Sequence, residues 1–143
     1  MINLLPGIAS SASALDAERG RMDVIAQNIA NVNVTRGVDG KPYQRQEVVF
    51  ESVLNALQNS DSPDAETRTV QIARVQKDNR PPRMIYNPGH PDANAQGMVA
   101  MPNINMHEEM VDMIASSRSY EANLAVVKNA RAMAMQALSI AKH

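Results

Sequence analysis

From Asn103 to His143 the chain contains neither Pro nor Gly. Along this run, at alternating spacings of four and three, stand Met106, Met110, Met113, Ser117, Tyr120, Leu124, Val127, Arg131, Ala134, Leu138 and Ala141. Only Ser117 and Arg131 interrupt the apolar character. Such spacing draws a continuous stripe down one side of an α-helix. Asn105 suits an N-cap, and Glu108 three residues later completes the spacing of a capping box. Glu108 and Glu109 also sit where the helix dipole favours negative charge. The pattern predicts one helix of about 36 residues, roughly 54 Å long at the standard rise. Val111, Ile114, Val126, Ala130, Met133, Ala137 and Ile140 form a second stripe beside the first. The combined apolar surface is wider than a single partner helix covers.

The N-terminal segment offers one partner. Ile8, Leu15, Met22 and Ile29 fall seven apart, and Leu4, Ile25 and Val32 take the complementary position, which Ser11 and Glu18 interrupt. Asp16, Arg19, Asp23 and Gln27 occupy the opposite face. This predicts a helix over about Leu4 to Val32, ended by Asn31, Asn33 and Gly37. The expected seam sets Leu15, Met22, Ile25 and Ile29 against Met110, Met113, Tyr120, Leu124 and Val127, with Leu138 further along the stripe. The first helix is the shorter one, so part of the second stays uncovered. Backbone ordering over such a length costs more than one stripe returns. Terminal helices of this kind become stable in company.

Seven of the eight Pro lie between residues 34 and 103. That region is predicted to hold strands over Arg45–Val53, Thr69–Val75 and Arg83–Tyr86. Asp39-Gly40-Lys41-Pro42 and Asn87-Pro88-Gly89-His90-Pro91 read as turns, and Asn55 to Thr67 as mostly loop. The chain has no Trp, one Phe (Phe50) and three Tyr, with ten Met supplying apolar bulk instead. Aromatic rings usually carry much of a core, so the middle region should be thin. The expected fold is mainly α, with long N- and C-terminal helices pairing as a coiled-coil-like core around a small irregular β insertion. Its divisions are 1–33, 34–103 and 104–143, the two terminal helices forming one discontinuous unit.

Several functions are excluded by composition. A net charge of −1 gives no basic footprint for nucleic acid. Zero Cys removes disulfides, thiolate zinc sites and cysteine nucleophiles. No apolar run reaches the length of a membrane span. His107-Glu108-Glu109-Met110-Val111 opens like a zinc-protease helix, but Val111 stands where the second His belongs. No metal, cofactor or catalytic site is expected, and the chain does not read as an enzyme. Met1 to Ile8 leads into Ala12-Ser13-Ala14, which imitates a signal cleavage site. No positive charge precedes Leu4, however, and Pro6 and Gly7 break the apolar run, so no cleaved leader is expected. Asn28 and Asn31, three apart, suit a helix terminus. Met110, Met113, Met133 and Met135 fit either core filling or an adaptable contact surface, and spacing leaves both open.

Ala14 to Asn31 resembles the N-terminal signature of the bacterial flagellar rod and hook proteins. In that family an Asn-apolar-Ala-Asn run, here Asn28 to Asn31, is followed by Thr, Gly, an aromatic and a basic residue. Thr35, Gly37, Tyr43 and Arg45 match those places. The five residues Val38 to Pro42 depart from the longer distal-rod and hook members and resemble the proximal rod class. Gly89 to Asn105, with Pro102 and Asn103, is similar to a hallmark stretch of that class, although Met98 stands where an aromatic is expected. Glu108 to Asn123, with Tyr120, Glu121 and Asn123, is similar to the shared C-terminal signature. The resemblance runs through the chain except for about Asn55 to Lys77.

The resemblance implies a structural subunit of the flagellar basal-body proximal rod, the drive shaft crossing the periplasm. It implies export by the flagellar type III apparatus without a cleaved signal, and helical self-assembly through the terminal helices. Implied partners are the export-gate and membrane-ring adaptor, the other proximal rod protein and the distal rod. Asn28, Asn31, Thr35 and Gly37 would shape the exit from the first helix. Two rivals are a second proximal rod subunit and, further off, a soluble helical adaptor or chaperone.

Overall fold

The computed structural model describes residues 5–56 and 66–140. Six elements follow in order: α1 (Leu5–Ala30), β1 (Gln46–Ala56), β2 (Glu66–Lys77), β3 (Arg83–Tyr86), β4 (Met98–Met101) and α2 (Met106–Ile140). Two long helices thus flank two small antiparallel sheets, and the fold is mainly α with a small β middle.

Local chemistry sets the boundaries. Asn31 closes α1 by directing both its backbone N–H and its Nδ2 to the Gln27 carbonyl. A turn follows, with Gly37 N–H donating to Lys41 O at 2.8 Å and Gly40 N–H to Gly37 O at 3.0 Å. Gly40 has φ +70, the left-handed region that only Gly enters without strain. At the start of α2, the Asn105 side chain accepts from His107 N–H and donates to Glu108 Oε1, both at 3.1 Å. Asn105 is the N-cap expected, whereas Glu108 meets the Asn105 side chain and not its backbone N–H as a capping box would have it.

β1 and β2 form one hairpin, paired from Gln46↔Lys77 to Ala56↔Glu66. The register shifts between Val49 and Phe50, which face Arg74 and Ile72, so Ala73 is the extra residue of a bulge. Both strands run longer than the sequence suggested. Asn55, Ala56, Glu66 and Thr67 are paired strand residues rather than loop, and the rest of that expected loop lies outside the described residues. β3 occupies its expected place and pairs with β4, a strand that the residue pattern did not single out. Between them, Gly97 has φ +73, and a Cβ there would stand 2.9 Å from the Tyr86 ring.

α1 is the shared element of the packing. It touches α2 and both strands of the β1–β2 hairpin, whereas α2 touches α1 alone among the elements described. At Gly20 the Ile72 Cδ1 methyl lies 2.3 Å from where a Cβ would be, so a side chain there would push Ile72 into another rotamer. Nearby, Ser13 Oγ accepts from Val70 N–H at 3.1 Å. The helices run antiparallel, as Asn28 meets Glu109 and Arg21 meets Asp112.

The face that α2 turns inward differs from the expected stripe. Its buried residues are Glu109, Ser116 and Ala130, and half-buried Asn123 completes the same seven-residue line. Small and polar side chains let the two backbones come close there. Met113, Tyr120, Leu124 and Val127 lie half-buried at the flank, while Met110 and Leu138 are exposed. On α1, Ile25 is buried and Leu15, Met22 and Ile29 are half-buried. The second stripe is exposed at Val111, Ile114, Val126, Met133 and Ile140. At 26 and 35 residues the helices measure roughly 39 and 52 Å, so the end of α2 outruns the described start of α1.

Candidate functional site: a buried polar junction

Two of the three buried polar side chains among the described residues, Asn28 and Glu109, meet where α1 ends, β1 begins and α2 begins. Asn28 is 1 % exposed and Glu109 is 0 % exposed. In the last turns of α1, Asn28 presents a full amide to the edge of the sheet. Its Nδ2 donates to Gln46 O and its Oδ1 accepts from Gln46 N–H, each at 2.9 Å. The side chain therefore imitates a neighbouring strand for one residue. The same Nδ2 donates to Glu109 Oε2 at 3.0 Å, and Tyr43 OH donates to Asn28 Oδ1 at 3.2 Å. An amide buried without such partners would be strongly destabilising.

Glu109 is held from two sides. Arg45 Nε donates to its Oε1, and the Arg45 side chain also pairs with Glu47. Asp112, one turn along α2, lies 3.8 Å from Arg45 and 3.9 Å from Arg21. Arg45 N–H donates to Asn103 Oδ1 at 3.3 Å. Pro102, just before it, is fully buried. Burial by itself disfavours the Arg45 charge, but the hydrogen bond and charge of Glu109, with Glu47, outweigh that and raise its pKa. Burial raises the pKa of Tyr43, and the Glu109 charge raises it further.

Asn28, Tyr43, Arg45 and Asn103, noted separately along the sequence, thus share one junction. The remaining signature residues lie elsewhere. Thr35 Oγ1 donates to Asp92 Oδ2 at 2.8 Å, and Arg36 stands 3.6 Å from the same carboxylate. Those contacts fasten the linker after α1 to the loop before β4. Gly37 builds the adjoining turn and Asn31 the helix end. Tyr120 is half-buried, Glu121 is exposed, and Asn123 Nδ2 donates to Ser119 O within α2.

Glu109 itself was read from sequence as helix-terminus charge, and here the structure differs. Glu108 alone serves the cap, while Glu109 points inward to partners 64 and 81 residues away. A hint lay in the pair itself, since one acidic residue suffices for the cap and the next falls about 100° around the helix. The chemistry of the junction is that of a clamp. Every donor and acceptor of Asn28 and both oxygens of Glu109 are engaged in joining three distant segments. Among the described residues, no group of His, Asp and Glu side chains is arranged to hold a metal, and no helix is long and apolar enough to cross a membrane.

Two family models match the chain, on either side of this junction. Residues 8–37 match the flagella basal body rod protein family, and residues 95–140 match the C-terminal region of the flagellar basal body rod FlgEFG proteins. Asn28 falls in the first match, and Asn103 and Glu109 fall in the second. Among curated proteins, the chain is 39 % identical to the flagellar basal-body rod protein FlgC of Borreliella burgdorferi, covering 97 % of this chain and 98 % of that one. It is 42 % identical to FlgC of Bacillus subtilis, over 92 % of this chain and 94 % of that one. Identity to FlgC of Salmonella typhimurium is 37 %, over 91 % and 92 %.

Proposed function

The chain belongs to the FlgC family of flagellar basal-body rod proteins, and from that premise we propose how it builds a rod. It is a structural subunit of the basal-body rod and associates with other rod components. In our reading, α1 and α2 form the coiled-coil-like inner wall of the proximal rod, from residues 1–33 and 104–143. Residues 34–103 lie outside that wall. The junction around Asn28, Arg45 and Glu109 fixes the angle at which the outer part leaves it. Neighbouring subunits cover the outward stripe of α2. The subunit reaches the periplasm by type III export. It then meets the membrane-ring and export-gate adaptor below, and the second proximal rod protein and the distal rod above.

One observation carries this reading. Val111, Ile114, Val126, Met133, Leu138 and Ile140 are exposed on a single helix. Soluble monomers rarely leave so many large apolar side chains open along one helix. The test uses exposed positions, so that assembly is separated from folding. Val126→Glu and Ile114→Glu should leave secretion of the subunit and its thermal unfolding unchanged. Both should remove it from purified basal bodies and abolish swimming. Wild-type incorporation of both variants would remove the stripe as an assembly surface.

A further inference from the structure

Both small sheets have free edges, and side chains close parts of them. Asn28 takes both backbone groups of Gln46 on the outer edge of β1. On the outer edge of β4, Asn94 Oδ1 accepts from Met98 N–H and Asn94 N–H donates to Met98 O, each at 2.9 Å. On the outer edge of β2, Ser13 accepts from Val70 N–H. An exposed strand edge is a template for another chain, so such plugs limit where one can add.

Alternation along the strands shows what stays open. Residues of an antiparallel pair face the partner strand and the outside by turns. Gln46 faces outward to Asn28, and Ser52 faces outward because its opposite residue, Val70, directs its N–H to Ser13. Val48 and Phe50 between them therefore face outward too. A cavity of about 350 Å³ lies beside them, walled by Arg21, Val24 and Ile25 of α1. On β3 the Asn87 N–H bonds inward to Gly97 O, so Met84 and Tyr86 face outward. All of β3 is exposed, and it touches β4 alone among the elements described. Pro82 and Pro88 hold the next outward positions and have no N–H to offer.

The two open edges are complementary. Set antiparallel, with Val48 opposite Tyr86 and Phe50 opposite Met84, they satisfy each other's outward N–H and C=O groups. Gln46, already taken by Asn28, then falls opposite Pro88, and Ser52 falls opposite Pro82. The same register sets Glu51 opposite Arg83. Both are exposed, and neither has an ion-pair partner among the described residues. Opposite charges directly across two strands favour the pairing. Within one chain the two edges do not meet, because β3 touches only β4.

We propose that β3 of one subunit adds as an antiparallel strand to the outer edge of β1 in the next copy, with Glu51 meeting Arg83. The two edges are different surfaces, so the contact is head-to-tail and propagates as a line or helix of copies. This rests on the reading of the chain as a rod subunit and adds an outer backbone contact to the helix stripe.

Trans cross-linking tests it, because the chain has no Cys of its own. Two differently tagged copies are expressed together, one carrying Glu51→Cys and the other Arg83→Cys. Both positions are exposed, so each variant should fold and be secreted as wild type is. Purified basal bodies are then oxidised. Opposed residues of an antiparallel pair have Cα atoms about 4.5–5.5 Å apart, within disulfide reach. Tyr86 lies about 10 Å further along β3. Mixed dimer from Glu51→Cys with Arg83→Cys should therefore exceed that from Glu51→Cys with Tyr86→Cys by about tenfold. In chains without Cys, Arg83→Glu should lower recovery in basal bodies, and adding Glu51→Arg to the same chain should restore it. Basal bodies containing both tagged copies but no mixed dimer would overturn the strand addition. Equal yields from the two pairs, or cross-linking of Glu51→Cys to a different rod protein, would overturn it as well. Folded and secreted copies that are both missing from basal bodies would instead overturn the rod reading itself.

Discussion

The two ends of α2 obey opposite rules. In its first turn a charged side chain, Glu109, is sealed from water and held by Arg45 and Asn28. In its last turns Leu138 and Ile140 are 68 % and 70 % exposed. A self-sufficient domain would arrange matters the other way round. Apolar burial is non-directional and suits a surface that must accept neighbours. A hydrogen-bonded charge pair tolerates few geometries and suits a joint that must hold an angle. The comparison suggests that this chain places its directional contacts within the subunit and leaves its non-directional ones for assembly.

The largest effects should come from breaking the polar end. Glu109→Ala takes the main partner from the half-buried Arg45, with Glu47 and Asp112 still beside it, so the loss should reach about 3 kcal/mol, the low end for a broken buried pair. The urea midpoint should fall accordingly. The double variant Glu109→Leu with Arg45→Met should recover much of that loss, since a buried ion pair is often replaceable by apolar packing. If the single variant costs as little as an ordinary surface change, about 0.5 kcal/mol, the junction does not organise the fold. Asn28→Ala should come next, at about 2–3 kcal/mol, because both backbone groups of Gln46 lose their partner. Hydrogen exchange at the Gln46 amide is the direct readout. It should accelerate in this variant, and an unchanged rate would mean that the side chain does not stand in for a strand.

Tyr43 gives a smaller effect with a definite sign. Its pKa is raised above 10.0, by burial first and then by the Glu109 charge. The folded protein therefore holds this proton more tightly than the unfolded chain does. The stability from this group is complete below pH 10 and is lost as pH rises through the folded pKa. Unfolding measured from pH 9 upward should show wild type losing stability faster than Tyr43→Phe, each normalised to its own value at pH 8. Parallel profiles would mean that the hydroxyl is not enclosed.

Element positions were largely legible in the sequence, and their inward faces were not. Asn105 and Glu108 announced the start of α2, and Asp39-Gly40 announced the turn before β1, because caps and turns depend on neighbours a few residues away. The line Glu109, Ser116, Asn123 and Ala130 was hidden. Periodicity shows where large apolar side chains gather, and on α2 many of them point away from α1. β4 was hidden for a related reason. Val99 is buried, but Met98, Ala100 and Met101 give no alternation. The junction was legible only in parts. Asn28, Tyr43, Arg45 and Asn103 were each noted, yet nothing short of the fold shows that the Glu109 carboxylate joins them.

The smallest predicted effect bears most directly on the comparison. Val126→Ser and Met133→Ser remove apolar bulk from side chains that are 52 % and 55 % exposed. Both lie within α2, and Ser is a somewhat weaker helix former than Met and about equal to Val. Each should shift the unfolding free energy of the isolated chain by no more than about 0.5 kcal/mol. The same change in a packed core would cost several times that. A large loss of stability in dilute monomer would mean that the stripe is covered within the subunit, and the contrast between the two ends of α2 would collapse. A negligible loss, combined with reduced recovery in basal bodies, would confine the contribution of these side chains to the assembled rod.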